Sequence, residues 1–251
     1  GLDAAGEVVA VGESVPHVRR GDRVFGSRNG AFAELVAGRT FVTMPANLSF
    51  EEAAALPTVG YTALQALRDK GALRAGQRVL VIGAGGGVGS VAVQIAKSLG
   101  GTVTGVTSRA KADMVRSLGA DDVLEHGELR LRRRVRPFDL IIDIASDRSL
   151  RELSELLTTT GTLVMVGPGR GNWAGPLMRI GAAVVRSRIG TRRIEPFLAK
   201  PNRDDLVVLR DLAESGALRP VIDSTYPLSD VADAIRRVES GQACGKVVIT
   251  V

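Results

Sequence analysis

The spacing of apolar residues changes rhythm along this chain. Near the start, residues 8–11, 23–25 and 32–36 are short β-prone runs separated by Gly12, Gly21, Gly26 and Gly30, which predicts short strands joined by glycine turns. Ser49, with Glu52 three residues on, forms a capping box that opens a short helix. Pro57 ends that helix or starts the next, in which Val59, Ala63 and Leu67 recur at helical spacing and Gly71 is the expected C-cap.

From Gln77 the pattern is different. Residues 79–82 are apolar without a break, as in a strand buried on both faces. A glycine cluster follows, then a helix with Val88, Val91, Ala92, Ile95 and Leu99 on one face. Strands are predicted at 102–106, 122–124, 140–144 and 162–166, with helices marked by Met114, Val115 and Leu118 and spanning 150–157. This alternation means βαβ units and a parallel sheet, and right-handed crossovers make it an α/β, doubly wound, Rossmann-type fold. Beyond residue 200 come two amphipathic helices, marked by Leu206, Leu209 and Leu212 and by Val231, Ala234, Ile235 and Val238. Strand-like pieces at 220–222 and 246–251 frame the second. The changes of pattern divide the chain into 1–57, 58–205 and 206–251, with no flexible tether between.

The glycine cluster carries the first chemistry. Residues 83–89 read Gly-Ala-Gly-Gly-Gly-Val-Gly, so Ala84, Gly86 and Gly89 fit A-x-G-x-x-G, a variant of the dinucleotide fingerprint, with Gly85, Gly87 and Val88 between them. Such glycines let the backbone approach a pyrophosphate seated on a helix N-terminus. A flexible turn looks similar, but here strand, glycines, helix and strand follow in order. An NAD-preferring site places an acid at the end of the second strand, to accept from the ribose 2′-hydroxyl. This chain has Thr107, Ser108, Arg109, Ala110 and Lys111 there. Cations and hydroxyls suit a 2′-phosphate, so NADPH is the expected cofactor. The plainer alternative is a solvated loop with Ser108 as N-cap.

Composition narrows the partners. The net charge of +6 raises nucleic acid as a ligand, but aromatic residues are only 4 % of the chain and no nucleic-acid-binding motif is present. No run approaches the ~18 apolar residues of a membrane span, so neither partner is expected. Cys244 is the single cysteine, which excludes an internal disulfide and suits a reducing, cytoplasmic setting. It reads as a small packed residue rather than a nucleophile.

Taken with their flanks, these residues resemble the zinc-independent quinone oxidoreductase branch of the medium-chain dehydrogenase/reductase superfamily. Residues 1–12 resemble G-x-D-x-x-G-x-V-x-x-V-G, residues 21–24 a G-D-R-V turn, and residues 30–34 a G-x-[FY]-A-E strand. Residues 62–67 match T-A-x-x-A-L, and Leu118-Gly119-Ala120-Asp121 and Gly245-Lys246-Val247-Val248 also fit. The resemblance implies a partial GroES-like, β-rich catalytic domain built from both chain ends around the Rossmann domain. It implies that the family's first strands would precede Gly1, so an open edge is expected where residues 246–251 pack with the strands of 1–45. It also implies a homodimer through the last Rossmann strand, with Arg186, Arg188, Arg192 and Arg193 near that edge.

The resemblance further implies NADPH-dependent reduction of a quinone or an α,β-unsaturated carbonyl. Thr62 and Tyr61 are the hydroxyl candidates near the nicotinamide, although Tyr61 can equally be core. His126, Val166, Gly167 and Lys246 are added to the cofactor site, and Trp173 to the loop facing the substrate. Zinc is not expected, because Leu2 stands where the zinc branch has histidine in G-H-E, and His17 and His126 are the only histidines. Asp3 is expected to make structural hydrogen bonds. Arg130, Arg132, Arg133, Arg134 and Arg136 read as a solvated face. The alternatives are an alcohol dehydrogenase-like enzyme and a non-catalytic cofactor-binding protein or inactive fragment.

Overall fold

The computed structural model describes residues 1–128, 136–144, 148–166 and 191–251. They form two compact units: Gly1–Tyr61 with Lys200–Val251, and Thr62–Ala199.

In the second unit six strands form one parallel sheet. They are β4 (Arg78–Ile82), β5 (Thr102–Thr107), β6 (Asp122–Glu125), β7 (Phe138–Asp143), β8 (Leu157–Val166) and β9 (Arg193–Phe197). Their spatial order is β6-β5-β4-β7-β8-β9. Counted from β4 this is 3-2-1-4-5-6, the Rossmann order, with the strand order reversing between β4 and β7. The expected strands at 79–82, 102–106, 140–144 and 162–166 are thus adjacent and parallel. Helices α3 (Gly87–Ser98), α4 (Ala112–Ser117) and α5 (Leu150–Glu155) connect them, and Ser149 with Glu152 adds a second capping box. Leu80, Ile82, Val106, Leu124, Ile141, Leu153 and Leu163 form the core, and fully burying a side chain of this size contributes about 1.5–3 kcal/mol.

The first unit is built of smaller pieces. Strands β1 (Asp3–Glu7), β2 (Arg23–Ser27) and β3 (Val42–Thr43) form an antiparallel sheet. Helix α1 (Phe50–Ala54) has the expected capping box and packs against β1 and β2. Helix α2 (Pro57–Gln65) begins at Pro57, and its last turns continue as a π-helical stretch at Ala66–Lys70. Helix α6 (Arg203–Glu214) is tied to the β3 region by Arg210 to Thr43 and Asn47 to the Ala213 carbonyl. Strands β10 (Ile222–Pro227) and β11 (Lys246–Thr250) pair in parallel, joined through α7 (Val231–Glu239).

Three expectations need correction here. Residues 8–11 are not a strand; the pairing residues are Asp3–Glu7, because β2 selects them through a continuous register from Asp3–Ser27 to Glu7–Arg23, and neighbour pairing outweighs β-propensity. Residues 32–36 are also irregular: Phe32 and Leu35 face solvent, and Val42–Thr43 takes the place beside β2. Gly71 is the C-cap as expected, its N–H donating to the Ala66 carbonyl, with an ordinary φ of −75° while Ala72 carries the positive φ of 46°. Gly71 is small for packing: a Cβ there would lie 2.7 Å from Leu140 Cδ2. Strand β11 joins β10 rather than the strands of 1–45, meeting them through α1 and the Lys246–Asp3 ion pair.

Candidate functional site

The loop after β4 sits at the carboxyl edge of the parallel sheet, beside the point where strand order reverses. Ligands bind at such switch points in open α/β sheets. The glycines of the loop divide by what surrounds them. Ala84 is fully buried, and a Cβ on Gly89 would lie 2.1 Å from the Gly83 carbonyl oxygen and 2.7 Å from Ala84 Cα. Gly89 therefore lets α3 pack directly on the strand end. A Cβ on Gly85 would meet Thr107 Oγ1 at 2.4 Å and Lys111 Cδ at 2.8 Å, so that glycine admits the neighbouring crossover. Gly86 differs: its φ is an ordinary −93°, and the nearest atom to a Cβ is the Gly83 oxygen at 3.5 Å. Nothing among the described residues requires glycine there. Gly86 is also the N-cap of α3 and has no side chain to cap it, so the helix presents the N–H groups of Gly87, Val88 and Gly89 with the positive end of its dipole.

At the end of β5, Thr107 is buried against Gly85, whereas Ser108 and Arg109 are exposed. Ser108 precedes a single turn at Arg109–Lys111, and its hydroxyl makes no capping hydrogen bond. The N-cap alternative thus does not occupy this side chain. The stem of Lys111 lies over the glycine loop. Val166 ends β8 at the same edge of the sheet, and Gly167 lies outside the described residues, as do Trp173, Arg130, Arg132, Arg133, Arg134, Arg186 and Arg188. The His126 side chain is exposed, and its carbonyl accepts a bond from Arg148. Asp143, absent from the sequence expectations, ends β7 opposite Ile82 with 5 % exposure. The signal was a carboxylate closing an apolar strand run.

The first unit holds a cavity of about 600 Å³. Its wall includes Leu2, Arg28, Asn29, Arg39, Thr58 and Tyr61. A hydrogen-bonded series runs into that wall. Lys246 Nζ donates to Asp3 Oδ2 at 3.4 Å, and Asp3 Oδ1 accepts from the Thr58 hydroxyl at 2.5 Å and the Thr58 N–H at 3.0 Å. Thr58 Oγ1 is 3.1 Å from the Tyr61 hydroxyl. Thr58 has one hydroxyl hydrogen and Asp3 takes it. Tyr61 is left to donate, either to Thr58 or into the cavity. Thr62, one residue on, is buried and does not line this cavity, because a helix turns about 100° between neighbours. Asp3 makes the expected structural hydrogen bonds, and Lys246 is engaged by it. Thr58, Arg28 and Arg39 were missed, since only the folded loops bring them to one wall.

In the same unit, Asp223 accepts two bonds from Arg237 and one from the Cys244 N–H. The Arg237 guanidinium beside it holds the Asp223 carboxyl well below the usual carboxylate range, against the opposing effect of desolvation. Among the described residues no three His, Cys, Asp or Glu side chains come together as a metal site, and no helix is long and apolar enough to cross a membrane.

A six-stranded 3-2-1-4-5-6 sheet with a glycine turn onto an uncapped helix defines the dinucleotide-binding class of α/β proteins. Comparison with known proteins is consistent and narrower. A model of the zinc-binding dehydrogenase family matches residues 118–249. The chain is 31 % identical to the human protein named NAD(P)H oxidoreductase RTN4IP1, mitochondrial, across all of this chain and 70 % of that one. It is 32 % identical to a chloroplast envelope quinone oxidoreductase homolog of Arabidopsis thaliana, across 98 % of this chain and 78 % of that one. The solved quinone oxidoreductase of Coxiella burnetii superposes with a TM-score of 0.86 at 31 % identity, covering all of this chain and 78 % of that one. The chain belongs to the medium-chain dehydrogenase/reductase superfamily, in its quinone oxidoreductase-like branch.

Proposed function

We propose that this protein is an oxidoreductase that uses NADPH to reduce a quinone or an α,β-unsaturated carbonyl without a metal. The observation that carries the reading is the pairing of two features at one sheet edge. A glycine at position 86 that no described neighbour requires opens α3, and the next strand ends in an exposed Ser108 and Arg109 instead of an acid. In this reading Ala84, Gly85, Gly86, Gly87, Val88 and Gly89 hold the pyrophosphate, Ser108 and Arg109 the 2′-phosphate with Lys111 beside them, and His126, Val166 and Gly167 complete that side. The nicotinamide supplies the hydride when bound.

The other steps fall to the chain. A conjugated carbonyl spreads developing negative charge onto oxygen and needs less polarisation than an isolated one, so a hydroxyl donor can replace a metal. Tyr61 is that donor, and Thr58 and Asp3 fix its orientation. Leu2 supports the absence of zinc, because it offers no ligand where the zinc branch has histidine. Self-association through the β9 edge belongs to the same reading.

Cofactor choice tests it. Losing a charge-assisted contact removes about 1.5–3 kcal/mol, so Arg109→Ala is expected to weaken NADPH binding ~10- to 100-fold and leave NADH nearly unchanged. Ser108→Asp is expected to reverse the preference. Equal losses for both cofactors in fluorescence titrations of Arg109→Ala would remove the NADPH assignment. Turnover of quinones and enones that persists with a chelator and gains nothing from zinc tests the second half.

A further inference from the structure

We propose that the cavity of the first unit selects a substrate bearing an oxyanion, a carboxylate or a phosphate, which Arg28 and Arg39 hold. The proposal depends on the oxidoreductase reading only for which other group of that substrate is reduced.

Charge is the first argument. Arg28 and Arg39 both line the cavity, and among the described residues no Asp or Glu does. Neither guanidinium makes a hydrogen bond or ion pair among the described residues. Arg116, Arg193, Arg236 and Arg237, by contrast, pair with Asp113, Glu195, Asp233 and Asp223. Arg28 and Arg39 have no such carboxylate among the described residues.

Geometry is the second. At Gly38 the loop carrying Arg39 packs on the Phe41 ring and passes beside the segment carrying Arg28. A Cβ there would lie 2.5 Å from the Phe41 ring and 3.7 Å from Arg28 Cβ. Thr40 fastens the same loop by donating to the Ser27 carbonyl at 2.7 Å. An anion in the cavity would find both guanidiniums in its lining. The planar guanidinium fork fits carboxylate and phosphate oxygens in pairs. Asn29 adds a neutral donor, and Tyr61 on the same wall would face the reducible end. A volume of about 600 Å³ is within the usual range for a small-molecule site.

The test uses three matched probes: 4-phenylbut-3-en-2-one, its para-carboxylate and its para-phosphate. Their dissociation constants are measured calorimetrically on the protein without cofactor, at low and high salt, and their turnover with NADPH is measured separately. A charged probe is expected to bind at least tenfold more tightly than the neutral one, and the stronger of the two identifies the oxyanion. High salt is expected to shrink that preference, because the two arginines are exposed. The double variant R28Q/R39Q is expected to bring all three probes within about threefold, leaving the neutral probe's affinity unchanged. R28K/R39K keeps the charge without the fork and is expected to fall between. Equal affinities for all three probes, or a preference that survives R28Q/R39Q, would overturn the proposal. Anion preference without turnover of any probe would uphold this site and sink the oxidoreductase reading. Turnover with no anion preference would do the reverse.

Discussion

The glycine loop and the cavity are built by opposite means. Seven consecutive residues make the loop, and its shape follows from backbone contacts: the Gly83 oxygen and Ala84 Cα leave no room for a Cβ at Gly89. The cavity draws on Leu2, the end of β2 and the residues after it, the segment before β3, the start of α2 and residue 201, and its character comes from side chains. The same contrast appears in two strands of similar sequence. β4 reads Arg-Val-Leu-Val-Ile and has neighbours on both sides, and Val79, Leu80 and Val81 are fully buried. β11 reads Lys-Val-Val-Ile-Thr and pairs with β10 alone, and only Val248 is buried. Place in the sheet, rather than hydropathy, decides which strand becomes core. A site made of local backbone should therefore break when volume is added, and a site made of side chains should lose chemistry while the fold survives.

The largest effect is expected at Gly89. Gly89→Ala forces a Cβ onto backbone that cannot move aside, and a loss of about 3 kcal/mol or more in urea unfolding is expected. Gly86→Ala is the contrast, because its Cβ meets nothing closer than 3.5 Å. Stability should stay within about 0.5 kcal/mol while dinucleotide affinity falls at least ~10-fold, since the ligand needs that space. If Gly86→Ala destabilised the protein as much as Gly89→Ala, both glycines would be serving the fold.

Tyr61→Phe probes the other construction. It removes a hydroxyl and keeps the ring, so stability should change by about 1 kcal/mol or less while kcat falls ~100-fold. Thr58→Val should lower kcat less and shift its pH profile, because Tyr61 loses its anchor but keeps its proton. An unchanged kcat in Tyr61→Phe would return Tyr61 to the core.

A smaller effect is expected at Asp223, where a side-chain pair supports fold and not chemistry. The folded carboxyl titrates below its unfolded value of about 3.9, so its stabilisation is present above that pH and is lost as pH falls through the folded value. Asp223→Asn should cost about 2 kcal/mol at pH 7 and flatten the acid side of the stability curve below about pH 4, with Km and kcat unmoved. An acid limb identical to that of the parent would show that other carboxylates govern it.

Much of the second unit could be read from its residues. An apolar run, a glycine turn and an amphipathic helix are local signals, and a parallel sheet buried on both faces leaves them unmixed. The fingerprint gave its ligand class for the same reason, since the steric demands at Gly85 and Gly89 arise within a few residues and one crossover. Strands of the first unit were harder. Ala4, Ala5 and Gly6 have weak strand preference, and β2 alone makes them a strand, while the better β-formers at 8–11 stay irregular with Val9 exposed.

Chemistry divides the same way. The sequence by itself determined the sheet, the dinucleotide turn and the lack of an acid after β5, because each depends on residues close in the chain. Only the tertiary structure decided that Asp3, Thr58, Tyr61 and Lys246 form one hydrogen-bonded series, and that Arg28 and Arg39 share a wall without a carboxylate. Those contacts close loops of up to 243 residues, and no local preference encodes which distant side chain will arrive.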